Sequence, residues 1–189
     1  HEKDDRLLYP VDLVMAAIND GPKTVLLAGQ SQAHDLNVGG TTGYVGTGGA
    51  APNVVDLESD EYRPSNLKDL YDAARLADAL PYVQFFARSL VARDVEDPRD
   101  LDVGTALASL AGPSKHVMVQ AAEPEHVHDI ADICYRIAGS KAAFCARPFL
   151  SLNINHIVPP LRFHDTSVEV MAEAVAAGIP VHCNVFGQL

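Results

Sequence analysis

Apolar residues fall at two different spacings along this chain, and the change from one to the other marks its elements. Val11, Val14, Met15 and Ile18 recur at helical spacing between Pro10 and Asp20, and Gly21-Pro22 stops the pattern, which predicts a short helix. Lys23 to Gly29 is a β-branched and leucine-rich run. From Asp35 to Ser59, short strand-like pieces are divided by Gly39-Gly40, Gly43, Gly46 and Gly48-Gly49, a glycine density that suits tight turns or close backbone approach. The pattern predicts an N-terminal elaboration over 1–62, built from a helix and small β-hairpins.

A regular alternation begins at Ser65. Ser65 is placed to cap a helix whose apolar residues Leu67, Leu70, Ala73, Ala74, Ala77 and Leu80 share one face, ended by Pro81. Tyr82 to Arg88 then reads as a strand, Leu101 to Leu110 as a helix and Lys115 to Gln120 as a strand. Pro124 to Ala138 reads as a helix with proline in its first turn, and a short helix follows over Lys141 to Ala146. Phe149 to Asn155 is the clearest strand. Thr166 to Ala177 is a helix ended by Gly178, and Val181 to Val185 is the last strand.

Strands separated by helices predict a parallel sheet, because each crossover returns the chain to the same end. Leu150, Leu152 and Ile154 alternate with Ser151, Asn153 and Asn155, and Val181, Cys183 and Val185 alternate with His182, Asn184 and Phe186. A central strand of an open doubly wound sheet is apolar on both faces. This half-polar pattern instead predicts an α/β fold in which 63–189 is part of a (β/α)8 TIM-type barrel, helices outside and a partly polar interior. The same parity places Gln84, Phe86 and Arg88, and His116, Met118 and Gln120, on the inner face.

Reactive groups of such barrels sit at the C-terminal ends of the strands, which singles out Arg88, Gln120, Asn153, Asn155, His156 and Asn184. The alternative is that these polar groups only hydrogen-bond one another in a filled interior. Arg88 is the most telling, because a cation there must be paired, solvated or facing an anionic ligand. Tyr44, Phe86 and Phe186 are placed to approach the same mouth, where aromatic faces suit a quaternary ammonium ligand through cation–π attraction. No catalytic residue is assigned by these patterns.

Other motifs lead nowhere. His126-Val-His128 resembles a metal-binding H-x-H pair, but it lies on a predicted helix, where residues two apart point to nearly opposite faces, so no metal site is expected. The glycines from Gly39 to Gly49 lack the Gly-Lys-Ser/Thr and the G-x-G-x-x-G of phosphate-binding loops and read as hairpin turns. No G-x-S-x-G occurs, and Cys183 falls on the helix-facing side of its strand.

Composition narrows the class. The net charge is −11, from 25 acidic and 14 basic residues among 189, which disfavours nucleic acid and anionic membrane surfaces as partners. No apolar run reaches the roughly 20 residues of a membrane span, and His1-Glu-Lys-Asp-Asp-Arg6 is not a signal peptide. Three separated cysteines set in apolar runs predict neither disulfides nor a C-x-x-C metal site and fit a reducing cytoplasm. The chain opens without Met and closes where a strand runs into its loop, as expected of a fragment.

Thr42-Gly-Tyr-Val-Gly-Thr-Gly-Gly-Ala-Ala-Pro-Asn-Val-Val-Asp56 and Asn66-Leu-Lys-Asp-Leu-Tyr-Asp-Ala-Ala-Arg-Leu-Ala-Asp-Ala-Leu80 resemble the trimethylamine methyltransferase family. So do Arg147-Pro-Phe-Leu-Ser-Leu152, Pro159-Pro-Leu161 and Ala177-Gly-Ile-Pro-Val181. The resemblance runs through almost the whole chain in order. It implies a (β/α)8 barrel that moves a methyl group from a methylated or quaternary amine to the cobalt of a corrinoid (cobalamin). That cofactor rides on a separate cognate corrinoid protein, the implied partner, so none is bound directly; a homo-oligomer is compatible. Trimethylamine enzymes of the family use pyrrolysine, and relatives lacking it are similar to demethylases of glycine betaine; the matching position falls beyond Leu189. No D-x-H-x-x-G corrinoid motif occurs here, in keeping with a cofactor carried elsewhere. Two other readings stay open on the residues alone, a metal-dependent TIM-barrel hydrolase and a non-catalytic amine-binding barrel.

Overall fold

The computed structural model describes residues 2–3, 6–158 and 162–185. The elements run β1 (Glu2–Lys3), β2 (Arg6–Leu7), α1 (Val11–Asp20), β3 (Val25–Leu27), β4 (Leu36–Val38), β5 (Asn53–Val55), β6 (Tyr62–Pro64), α2 (Leu67–Ala79) and β7 (Phe85–Ala87). They continue with α3 (Pro98–Ala111), β8 (His116–Val119), α4 (Pro124–Ala138), α5 (Lys141–Ala146), β9 (Leu150–Val158), β10 (Arg162–Phe163), α6 (Asp165–Ala177) and β11 (Val181–Val185). Strands β7, β8, β9 and β11 are parallel neighbours in that order, and β10 folds back antiparallel on the end of β9. The chain is therefore a mixed α/β structure with a parallel sheet. Among the described residues the strands do not close on themselves, and no helix is long and apolar enough to cross a membrane.

The helices are built as the sequence dictates, with shifted ends. Asn66, not Ser65, caps α2: its side chain accepts from the Asp69 amide while Asp69 accepts from the Asn66 amide, a reciprocal capping box. Ser65 is buried instead, and its hydroxyl donates to the Val91 carbonyl at 2.7 Å. Helix α3 starts earlier than its apolar pattern, at Pro98, because Asp97 accepts from the Arg99 and Asp100 amides. Helices α4 and α6 end on Gly139 and Gly178, both in the left-handed conformation that only glycine adopts at little cost.

One face of the sheet packs on the helices. Val117, Val119, Leu150, Leu152 and Ile154 meet Leu70, Ala74, Ala106, Leu110, Ile130, Phe144 and Val170 in one core. Register corrects the expected parity of β7. Phe86 pairs beside Val117 and is fully buried in this helix-side core, so it does not reach the place at the strand ends expected from the sequence. Phe85 and Ala87 share the opposite face with His116 and Met118, covered by Leu27 and Leu36 of the β3–β4 hairpin.

The glycine-rich segment is not another hairpin. Gly46 and Ala51 bridge in parallel to Phe85 and Leu90, so this stretch runs alongside β7. Thr47 completes the match, its hydroxyl donating to the Ala87 carbonyl at 2.5 Å and accepting from the Ala87 amide at 3.0 Å. Gly46 is required there, because a Cβ at this position would overlap the Phe85 ring.

On the face away from the helices, His116 is buried between the Ala28 carbonyl, to which its Nδ1–H donates, and the Ser151 hydroxyl, each 2.8 Å away. Burial pulls this imidazole down to about 4, so the folded chain keeps it neutral where an unfolded histidine is already protonated near 6.5. The folded state then binds fewer protons between these values. Its stabilising effect is complete above pH 6.5 and is lost as pH falls toward 4. Urea unfolding should show a loss of up to about 3 kcal/mol across that interval that His116→Asn lacks. Equal pH slopes for the two proteins would exclude His116 as the source.

Candidate functional site

Parallel strands deliver their following residues to one edge of the sheet. Arg88 follows β7, Gln120 follows β8, and Asn153 and Asn155 lie on β9. The Arg88 amide continues the ladder by donating to the Met118 carbonyl at 2.9 Å, which fixes its backbone, and its Nη2 donates to Gln120 Oε1 at 2.5 Å. A cavity of about 320 Å³ opens here, lined by Arg88, Asp102, Gln120, Asn153, Asn155 and Ser167 with the apolar Leu101, Ile154 and Val170. A recess of about 50 Å³ adjoins it, bounded by Gly48, Gly49, Arg88, Gln120 and Asn153.

Arg88 is electrostatically unusual. Arg63, Arg99 and Arg147 each contact a carboxylate, of Asp56 and Asp69, of Asp129 and of Asp35. Arg88 is half-buried and forms no ion pair among the described residues, and its guanidinium has only the neutral Gln120 side chain as a hydrogen-bond partner there. Burial therefore lowers its pKa from the ordinary value, opposed by the more distant charge of Asp102. A guanidinium has five N–H donors, and one amide oxygen satisfies few of them. The arrangement is that of a cation held ready for an anion, because leaving such donors unmatched in a desolvated place is costly.

The same cavity is also lined by a carboxylate. Asp102 is buried in the second turn of α3, and its Oδ2 accepts from the Ala122 amide and from His126 Nδ1–H, both at 2.7 Å. Pro124 and Glu125 open α4 so that His126 faces inward, while His128 points outward to Glu173 at 3.4 Å. The two imidazoles thus go to different partners, and no cluster of three metal-binding side chains occurs among the described residues.

Of the residues singled out from the sequence, Arg88, Gln120, Asn153 and Asn155 are brought to one cavity. Asn155 Oδ1 is buried with no hydrogen-bond partner among the described residues, and so is Nδ1 of the next residue, His156, which lines neither cavity. Asn184 pairs in register beside Asn155; its side chain, and all of Phe186, lie outside the described residues. Phe86 is in the helix-side core. Tyr44 sits at the other end of the strands: its hydroxyl donates to the Asn37 carbonyl, and it lines an apolar cavity of about 440 Å³ with Leu27, Phe85 and Met118. Tyr44 lies there because the segment runs parallel to β7 and Tyr44 precedes Gly46, the partner of the first strand residue.

Asp102, His126 and the Gly48-Gly49 wall were not anticipated as parts of the site. A signal for Asp102 exists: it falls in the same helical stripe as Thr105, Ala106, Ser109 and Leu110, all buried, and an acidic residue in a buried stripe needs a partner.

A family profile described as trimethylamine methyltransferase matches residues 2–189. The trimethylamine methyltransferase MttB of Desulfitobacterium hafniense (strain DSM 10664 / DCB-2) is 28% identical over 174 residues, which is 92% of this chain and 34% of that relative. The chain spans about a third of the length of the curated relative it matches. By the profile match over nearly its whole length, the chain belongs to the trimethylamine methyltransferase family.

Proposed function

We propose that the protein containing this chain transfers a methyl group from a methylated or quaternary amine to a corrinoid carried by a separate protein, in a reducing cytoplasm. In this reading the chain is part of a (β/α)8 barrel whose mouth is the Arg88 cavity. The observation that carries it is the half-buried guanidinium of Arg88, without a carboxylate partner among the described residues, on a cavity of about 320 Å³ at the C-terminal strand ends. Family membership supports the methylamine donor.

The cavity is of a size for a small amine. A reduced corrinoid supplies the nucleophile at the methyl carbon. The protein's own part is positional. Arg88 would hold a donor carboxylate, Gln120 orients the guanidinium through its Nη2, and Asn153 and Asn155 line the same cavity as further polar contacts, so the donor would be fixed for attack at an N-methyl group. The C–N bond breaks with its electron pair going to nitrogen. A quaternary donor leaves as a neutral tertiary amine, so no proton has to be supplied at that atom, and betaine-like donors need no general acid.

Product analysis tests this reading. Full-length protein with glycine betaine should form dimethylglycine only when the reduced corrinoid protein is present, and purified protein should hold no stoichiometric zinc or iron. Demethylation that proceeds without corrinoid, or that is abolished by removing a bound metal, would support the hydrolase reading instead. Tight amine binding with no dimethylglycine would support the non-catalytic one.

A further inference from the structure

Resting on that reading, we propose that Asp102 is the second pole of the site: it receives the cationic nitrogen while Arg88 receives the carboxylate, which makes the cavity selective for zwitterions. Both side chains line the same cavity, yet they form no direct ion pair with each other. A cavity lined by a guanidinium and by a carboxylate whose ion-pair partner is a histidine, His126, rather than the guanidinium is complementary to a small molecule carrying both charges. Two such charges would collapse on each other if nothing kept them apart. Asp102 is kept from doing so by the Ala122 amide and His126 Nδ1, which anchor its Oδ2 to the loop after β8 and to the first turn of α4.

The anchoring also suits the chemistry of the ligand. A quaternary ammonium has no N–H to donate, so a carboxylate facing it must find its hydrogen bonds elsewhere or remain unsatisfied. The Ala122 amide and His126 supply them on Oδ2, while Oδ1 has no partner among the described residues. The charge of Asp102 favours the protonated form of Arg88, against the effect of burial. A merely structural carboxylate would serve as well with both oxygens turned into the α3–α4 contact.

The test uses full-length protein, calorimetric binding and two probes of nearly the same shape. One is glycine betaine. The other is 3,3-dimethylbutanoate, in which a neutral tert-butyl group replaces trimethylammonium. The wild type should bind betaine about tenfold tighter or more. Asp102→Asn keeps an oxygen for Ala122 and His126 but removes the charge. It should weaken betaine about ten- to hundredfold, leave the isostere unchanged or tighter, and bring the ratio near one. Arg88→Gln should weaken both probes.

Equal weakening of both probes by Asp102→Asn would reduce Asp102 to a structural staple and overturn the proposal, as would unchanged betaine binding. The wild-type ratio stands independently of any variant's folding: an isostere bound as tightly as betaine, or neither probe bound, overturns it as well. Selective betaine binding with no methyl transfer to corrinoid would uphold this site and sink the proposed reaction, so the two failures are distinguishable.

Discussion

Replacing Arg88 with glutamine in the full-length protein is predicted to lower kcat/KM for a carboxylated quaternary amine by roughly 30- to 5,000-fold without destabilising the fold. The first half follows from removing a half-buried, charge-assisted contact to the donor carboxylate, a loss of about 2–5 kcal/mol for such pairs. The second follows from the unbound state. Burial disfavours this cation, and only Gln120 pairs with its side chain among the described residues, so a neutral residue relieves a cost rather than breaking an ion pair. The melting temperature should be unchanged or raised. Steady-state kinetics and a thermal melt of the same preparation check both halves. Unchanged kinetic constants would remove Arg88 from the site, and a large drop in melting temperature would make it a structural residue.

Phe86→Ala should cost about 3–5 kcal/mol of stability, whereas Phe85→Ala should cost about half as much or less. The residues are adjacent and chemically identical, and only their faces differ. Phe86 is fully buried in the main core under the helices, where truncation leaves a cavity that close-packed neighbours cannot fill. Phe85 is only partly buried and borders the apolar cavity on the opposite face, so its ring already lacks neighbours on one side. Urea unfolding of the two variants checks this. A larger loss at Phe85 than at Phe86 would restore the parity first read from the sequence and contradict the register of β7 with β8.

That pair also shows where the sequence is readable and where it is not. In β9, apolar Leu150, Leu152 and Ile154 alternate with polar Ser151, Asn153 and Asn155, so one glance assigns both faces, and the structure agrees. In β7, Phe85, Phe86 and Ala87 are all apolar, and a period of two cannot be seen where both faces are buried; only pairing with Val117 on β8 settles it. Helices were legible because their stripes are long and their caps local. The path of 45–51 was not, since its pairing with β7 spans about forty residues and is made by a Thr47 side chain and a glycine gap under a ring.

Within the site, Arg88, Gln120, Asn153 and Asn155 were legible because strand ends converge in any parallel α/β arrangement. Asp102 was not, because a single aspartate on a helix ordinarily faces water, and its partners Ala122 and His126 are 20 and 24 residues away. Tyr44 and Phe86 were drawn to the mouth only by being aromatic, with no knowledge of which end of β7 the glycine-rich segment meets. The family resemblance, by contrast, was carried by short motifs such as Arg147-Pro148, where Arg147 is tied to the Asp35 carboxylate and the Gly29 carbonyl and so holds the β3–β4 hairpin against the sheet. Such motifs report the scaffold more than the substrate.

In the proposed reaction a methyl group leaves a carboxylate-bearing amine held at Arg88 for a corrinoid brought by a partner. Glycine betaine labelled with deuterium in its N-methyl groups, incubated anaerobically with full-length protein and the reduced corrinoid protein, tests it in one mass spectrum. A trideuteromethyl group on the corrinoid, formed far more slowly when Arg88→Gln replaces the wild type, is the predicted result. An unlabelled corrinoid beside intact betaine, under conditions where trimethylamine does transfer its methyl group, would contradict it.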